Sequence, residues 1–165
     1  MREEIREISV TDGNLSGLQQ RIKRNYIFNI DYKINSQLSM KSRVQTSTQD
    51  KADVFTSGYA IVQDLNYSIG RWRLSGRIAL FETDDFDNRQ YIFEKDVLYA
   101  FSIPAYGGVG TRNYLLIQYG LSESVDLWMR LARFSYTDRD VVGSGLEANE
   151  GPVRTELKWM MRWKF

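Results

Sequence analysis

The last thirteen residues, VRTELKWMMRWKF at positions 153–165, constrain this chain more than any other stretch. Thr155, Leu157, Trp159, Met161, Trp163 and Phe165 fall on one side of a period-two ribbon. Glu156, Lys158, Met160, Arg162 and Lys164 fall on the other. Such alternation is the pattern of a β-strand between two different environments. Two Trp and a Phe opposite a row of charges suit a strand whose apolar side meets lipid and whose charged side meets a lumen.

The same period recurs upstream. Residues 21–34 set Tyr26, Phe28, Ile30, Tyr32 and Ile34 against Asn25, Asn29, Asp31 and Lys33. Residues 38–46 set Leu38, Met40 and Val44 against Lys41, Arg43 and Gln45. Residues 54–68 place Phe55, Tyr59, Ile61, Leu65 and Tyr67 opposite Gly58, Ala60, Asp64 and Asn66. Residues 71–81 place Trp72, Leu74, Ile78 and Leu80 opposite Arg71, Arg73, Ser75 and Arg77. Residues 112–121 and 125–136 also read as strands, although Trp128 and Phe134 share a side with Asp126 and Arg130. Residues 2–10 form a weaker, polar strand with Ile8 and Val10 on one side.

No stretch has a helical period, and the connections are mostly too short for crossovers. The expected fold is all-β and antiparallel, a single domain over residues 1–165. The meander forms an up-and-down transmembrane β-barrel of about eight strands, or the C-terminal part of a larger barrel. Membrane barrels have short turns at one end and long loops at the other. Turns at Asn35-Ser36, at Ile69-Gly70 and at 122–124 are then inside, and 11–19, 47–53, 82–110 and 137–152 are outside loops. This alternation requires 82–110, despite a strand-like run at 91–103, to be one outside hairpin or lid and not a spanning strand.

Composition removes several classes. The 165 residues include no cysteine and no histidine. Disulfides, Cys/His zinc sites and both Ser-His-Asp and Cys-His catalysis are therefore excluded. A net charge of +1 lacks the basic footprint of a nucleic-acid binder. No apolar run approaches the length of a transmembrane helix. The mean hydropathy of −0.44 is that of a soluble chain, but barrel strands average to near neutrality. The opening MREEIREISV is no secretory signal, so export of a barrel places this start inside a longer protein.

The predicted lumen charge network is Asp31, Lys41, Arg43, Asp64, Arg71, Arg73, Arg77, Asp126, Arg130, Glu156, Lys158 and Arg162. An eight-stranded barrel has room inside only for side chains, so these charges are expected to pair across a plugged, poreless interior. The row Arg71, Arg73 and Arg77 fits an anion, but pairing with lumen carboxylates is preferred. The predicted lipid-facing set is Tyr26, Phe28, Ile30, Tyr59, Trp72, Leu74, Trp159, Trp163 and Phe165. Arg21, Lys23 and Arg24 beside Tyr26 suit headgroup level better than nucleic acid. Glu82, Asp84, Asp85 and Asp87 lack EF-hand spacing and read as a solvated loop. Gly107, Gly108 and Gly110 read as a turn, because no Lys-Ser/Thr follows. No metal or cofactor is expected.

The run YIFEKDVLYAFSIPAYGGVGTRNYLLIQYGLSESVDLWMRLARFSYTD carries a resemblance. With the later GSGLEANEG and the terminal strand, it resembles the end of a family of Bacteroidota outer-membrane proteins with a helix-hairpin-helix region ahead of a β-barrel. The matching residues are Tyr91, Glu94, Asp96, Tyr99, Pro104, Gly108, Gly110, Arg112 and Tyr114. Gly143, Ser144, Gly145, Leu146 and Phe165 complete them. The resemblance covers 91–165 well and the earlier strands only in style. It implies a bacterial outer-membrane location and a chain truncated at its amino end. It carries over neither DNA binding nor catalytic residues.

The expected function is a non-enzymatic outer-membrane barrel: an anchor, a passage or a surface-binding element. Its partners are membrane lipid and a protein at the outside loops, and no nucleic acid. The alternative is a soluble lipocalin-like barrel binding an apolar ligand, with the aromatic face turned inward. A carboxylate-only hydrolase built on Asp138 or Asp140 is a third reading, disfavoured by the missing histidine.

Overall fold

The computed structural model describes residues 2–12, 15–51, 54–143, 145 and 148–165, with the side chains of 6–20 excepted. Residues 13, 14, 52 and 53, at two expected loop tips, lie outside the described residues, as do Ser144 and Leu146 and the side chains of Ile8 and Val10. The strands in chain order are β1 (Arg2–Asp12), β2 (Leu15–Lys33), β3 (Leu38–Lys51), β4 (Val54–Ile69), β5 (Trp72–Thr83), β6 (Gln90–Tyr91), β7 (Ala105–Tyr106), β8 (Val109–Gly120), β9 (Val125–Tyr136), β10 (Val141–Val142), β11 (Asn149–Glu150) and β12 (Val153–Trp163). Eight of them form one antiparallel meander in the order β1-β2-β3-β4-β5-β8-β9-β12. The pairs β6-β7 and β10-β11 are separate short ribbons.

Register aligns like with like. Tyr67, Leu74, Ile117, Met129 and Trp159 stand in one row across β4, β5, β8, β9 and β12. Val44, Ile61 and Leu80 stand in another. These side chains share the outer face. A slip of one residue would carry each of them to the opposite face, so the pattern specifies the register.

The inner face is covered by the chain between β5 and β8. Residues 84–108 form a turn of 3-10 helix (Phe86–Asn88), the β6-β7 ribbon and an irregular run, and none of it joins the large sheet. As the loop lengths predict, 91–103 is not a ninth strand of that sheet. The expected lid is corrected, however. The segment lies against the inner face, with Ile92, Glu94, Val97 and Tyr106 buried. Alternation at 91–94 turns Ile92 and Glu94 toward the sheet and leaves Tyr91 and Phe93 exposed.

Two apolar clusters hold the segment in place. Ile92 and Tyr106 join Ala60, Val62, Ala79, Phe81 and Phe134, with the Tyr106 ring 5.4 Å from Phe81 and edge-on to Phe134 at 5.6 Å. Val97 joins Tyr114, Leu116, Trp128 and Ala132. Trp128 and Phe134 therefore share a side with charged residues because that side is the packed interior.

Two expected loops are strand instead. Residues 15–19 belong to β2, and 47–51 belong to β3. The stretch 47–51 is polar because β3 here meets polar groups of the inserted segment. The Ser47 hydroxyl donates to Asn88 Oδ1 at 3.0 Å and accepts from Gln90 Nε2 at 2.8 Å. The sheet's edges are β1 and β12, which do not pair with each other among the described residues. β1 opposes β2 only as far as Asn25, so 26–33 pair on one side, with β3.

The segment crosses β4 with no room for a side chain at Gly58. A Cβ there would stand 2.7 Å from the Asn88 carbonyl oxygen and 2.8 Å from Thr83 Cγ2. Gly58→Ala is expected to cost about 1–3 kcal/mol through overpacking. The loss would appear as a lower urea midpoint and faster proteolysis within 84–108. An unchanged midpoint would show that the segment does not rest on β4.

Candidate functional site

The predicted lumen set holds eight cations, Lys41, Arg43, Arg71, Arg73, Arg77, Arg130, Lys158 and Arg162, against four carboxylates, Asp31, Asp64, Asp126 and Glu156. The structure brings part of it together. Lys41 lies 3.2 Å from Asp31. Arg77 grips Asp64 with both prongs, at 2.6 and 2.7 Å, and donates to the Phe93 carbonyl at 2.8 Å. Arg162 pairs with Asp126. Arg130, Lys158 and Glu156 join the ion pairs at the centre of the interior, whereas Arg43, Arg71 and Arg73 depart from the expectation. Arg43 donates to the Asn29 amide oxygen at 2.7 Å. Arg71 sits in the β4-β5 turn and donates to the Leu121 carbonyl at 3.0 Å. Arg73 is exposed, with no carboxylate partner among the described residues. Of the arginine row, only Arg77 pairs as predicted.

The centre of the interior is a carboxylate outside that set. Glu94, on the inserted segment, accepts from Arg112 at 2.9 and 2.8 Å, from the Tyr106 hydroxyl at 2.7 Å and from Arg130. Glu94 and Arg130 have 0% of their surface exposed, and Arg112 1%. Two residues on, Asp96 takes Lys158 at 2.6 Å. Glu156 of β12 stands 3.8 Å from both Arg112 and Arg130. The Arg112 guanidinium also lies 4.2 Å above the Phe134 ring. The eight-to-four imbalance was the available signal for these residues. An interior so rich in arginine requires carboxylates from elsewhere, and the longest connection, 82–110, carries EKD at 94–96.

Burial works to raise the Glu94 pKa. The hydrogen bond and charge of Arg112, the Tyr106 hydroxyl and the Arg130 charge outweigh it and hold the carboxyl below its usual range. An ionised carboxylate locked between two guanidinium groups is a structural clamp and has no proton to give at neutral pH.

The acidic run 82–87 disperses, with Glu82 still in β5 and Asp84, Asp85 and Asp87 beyond its end. Glu82 accepts from the Tyr59 hydroxyl at 3.0 Å, and Asp84 accepts from the Ser57 amide at 2.7 Å. Asp85 caps the 3-10 turn through the Asn88 amide at 2.8 Å, and Asp87 lies 3.5 Å from Arg21. No group of three potential metal-ligating side chains occurs among the described residues. Asp138 is taken up by Arg139 at 2.7 Å.

On the outer face, Tyr26, Phe28, Ile30, Tyr59, Trp72, Trp159, Trp163 and Phe165 are all exposed, and Leu74 is half-buried among its neighbours. Phe28 is 63% exposed, Trp163 68% and Trp159 78%. The Trp72 and Tyr119 rings lie 4.3 Å apart and line a shallow apolar groove with Ile117, Met129 and Trp159. No protein-family model, no curated protein and no solved structure matches this chain.

Proposed function

We propose that this chain is the wall of a bacterial outer-membrane β-barrel, a non-enzymatic membrane element whose interior is plugged by residues 84–108. The observation that carries the reading is the outer face. Phe28, Ile30, Ile78, Leu80, Leu157, Trp159 and Trp163 expose their side chains on a face of alternating strands whose opposite side holds the buried ion pairs. An apolar surface spread over strand after strand exceeds what a soluble monomer leaves to water, and lipid is the partner that suits it. Trp72, Trp159 and Trp163 point away from the interior, which also counts against a barrel holding an apolar ligand inside. The likeness of residues 91–165 to helix-hairpin-helix-bearing Bacteroidota proteins belongs to the same proposal, as does contact with a partner protein through the loop at 137–152.

Tryptophan fluorescence in vesicles tests it. Refolded chain is expected to be quenched by lipids brominated along their acyl chains and to be shielded from aqueous iodide. A protein that stays monomeric in buffer without detergent, with iodide-accessible tryptophans, would overturn the reading.

A further inference from the structure

Between β2–β5 and the inserted segment lies a cavity of about 510 Å³, within the range of small-molecule sites. Two carboxylates reach it, and both are engaged: Asp31 by Lys41 and Asp64 by Arg77. Three more cations line it without a carboxylate at ion-pair distance among the described residues. Arg43 meets only the amide oxygen of Asn29. Lys95 donates to Asn66 Oδ1 and, at 3.3 Å, to the Ser75 hydroxyl. Lys33 projects from the end of β2. Phe93 adds an apolar wall.

We infer that this cavity binds a small multivalent oxyanion, of the organic phosphate or polycarboxylate class. Uncompensated cations in a concave, partly apolar site concentrate positive potential there. The planar Arg43 fork matches two oxygens of one anionic group, and the two ammonium groups act as point charges on a second. Burial pushes the Lys95 ammonium pKa down, with only the Asp64 charge opposing it, so a bound anion would relieve a cost the empty site carries. The site lies on the inner face and stands whether or not the outer face meets lipid.

Calorimetric titration of the full chain in detergent, at low and high salt, tests the inference with pyrophosphate and with citrate as probes. Saturable binding of at least one probe is expected, weaker at high salt. Arg43→Gln and Lys95→Gln should each weaken it by about tenfold or more, the scale of one lost charged contact. Arg71→Gln, outside the cavity, should leave it unchanged. A preference for pyrophosphate assigns the phosphate class, and a preference for citrate the polycarboxylate class. Two results would overturn the proposal. One is no saturable binding of either probe by protein with an intact strand signature in circular dichroism. The other is equal weakening in all three variants.

Discussion

Glu94→Gln is expected to lower the unfolding free energy by about 3–5 kcal/mol, the scale for removing one partner of a buried ion pair. The charge lost here serves two arginines at once. Arg112 and Arg130 would remain at the centre of the interior, and their remaining carboxylate neighbour is Glu156 at 3.8 Å, with Asp96 also 3.8 Å from Arg130. A glutamine offers that pair one acceptor oxygen in place of two and cannot neutralise it. The segment should loosen along with the global loss, because Glu94 is one of its fully buried polar anchors and Ile92 and Val97 flank it. Urea unfolding in detergent measures the first effect, and the rate of proteolysis within 84–108 the second.

The same residue sets an acid limb. The Glu94 pKa is depressed in the folded protein, so its contribution is present above the unfolded value, near 4.3, and is lost as pH falls through the folded value. Wild-type stability should therefore fall with acid below about pH 4, and Glu94→Gln should flatten that limb. A variant that loses less than about 1 kcal/mol would mean that the arginines find water or other partners, and that Glu94 does not clamp the plug.

Glu94 also marks the limit of what the sequence shows. Strands β4, β5, β9 and β12 are readable to within two residues, because each alternates between two unlike environments. The continuations of β2 and β3 are not. TSTQDK is polar at every position and SGLQQ has one apolar side chain, Leu18, so neither carries a period-two signal. In β3, the contacts that account for the strand are tertiary: Ser47 and Gln49 are buried under the inserted segment, where Asn88 and Gln90 meet Ser47. The segment itself could be kept out of the sheet by loop-length parity, yet parity says nothing of which way it folds. Its direction follows from the cluster of Phe81, Tyr106 and Phe134, residues more than 20 positions apart, and such packing leaves no local trace. Arg112 shows the same limit. As one cation in a strand it looks like any other inner charge, and only the approach of Glu94 makes it central.

Trp159→Arg is expected to separate the membrane reading from any soluble one by the size of its effect. Trp159 is the outer member of the row Leu74, Ile117 and Met129, toward the middle of β12, and its side chain, 78% exposed, has little burial to lose in water. In a soluble protein, a substitution at so exposed a position is worth within about 0.5 kcal/mol and would aid solubility. On a lipid-facing strand, an arginine near the bilayer midplane costs about 2–4 kcal/mol, and one near the interface about 0–1. Trp163→Arg, at the last residue of β12, should then be the milder of the two, although both tryptophans are similarly exposed. Folding yield and urea midpoints in lipid vesicles read both variants. Exposure alone predicts that they are equal and harmless. Depth in hydrocarbon predicts that they differ, with Trp159→Arg the more damaging, and equal, near-zero costs in vesicles would remove lipid as the partner of the outer face.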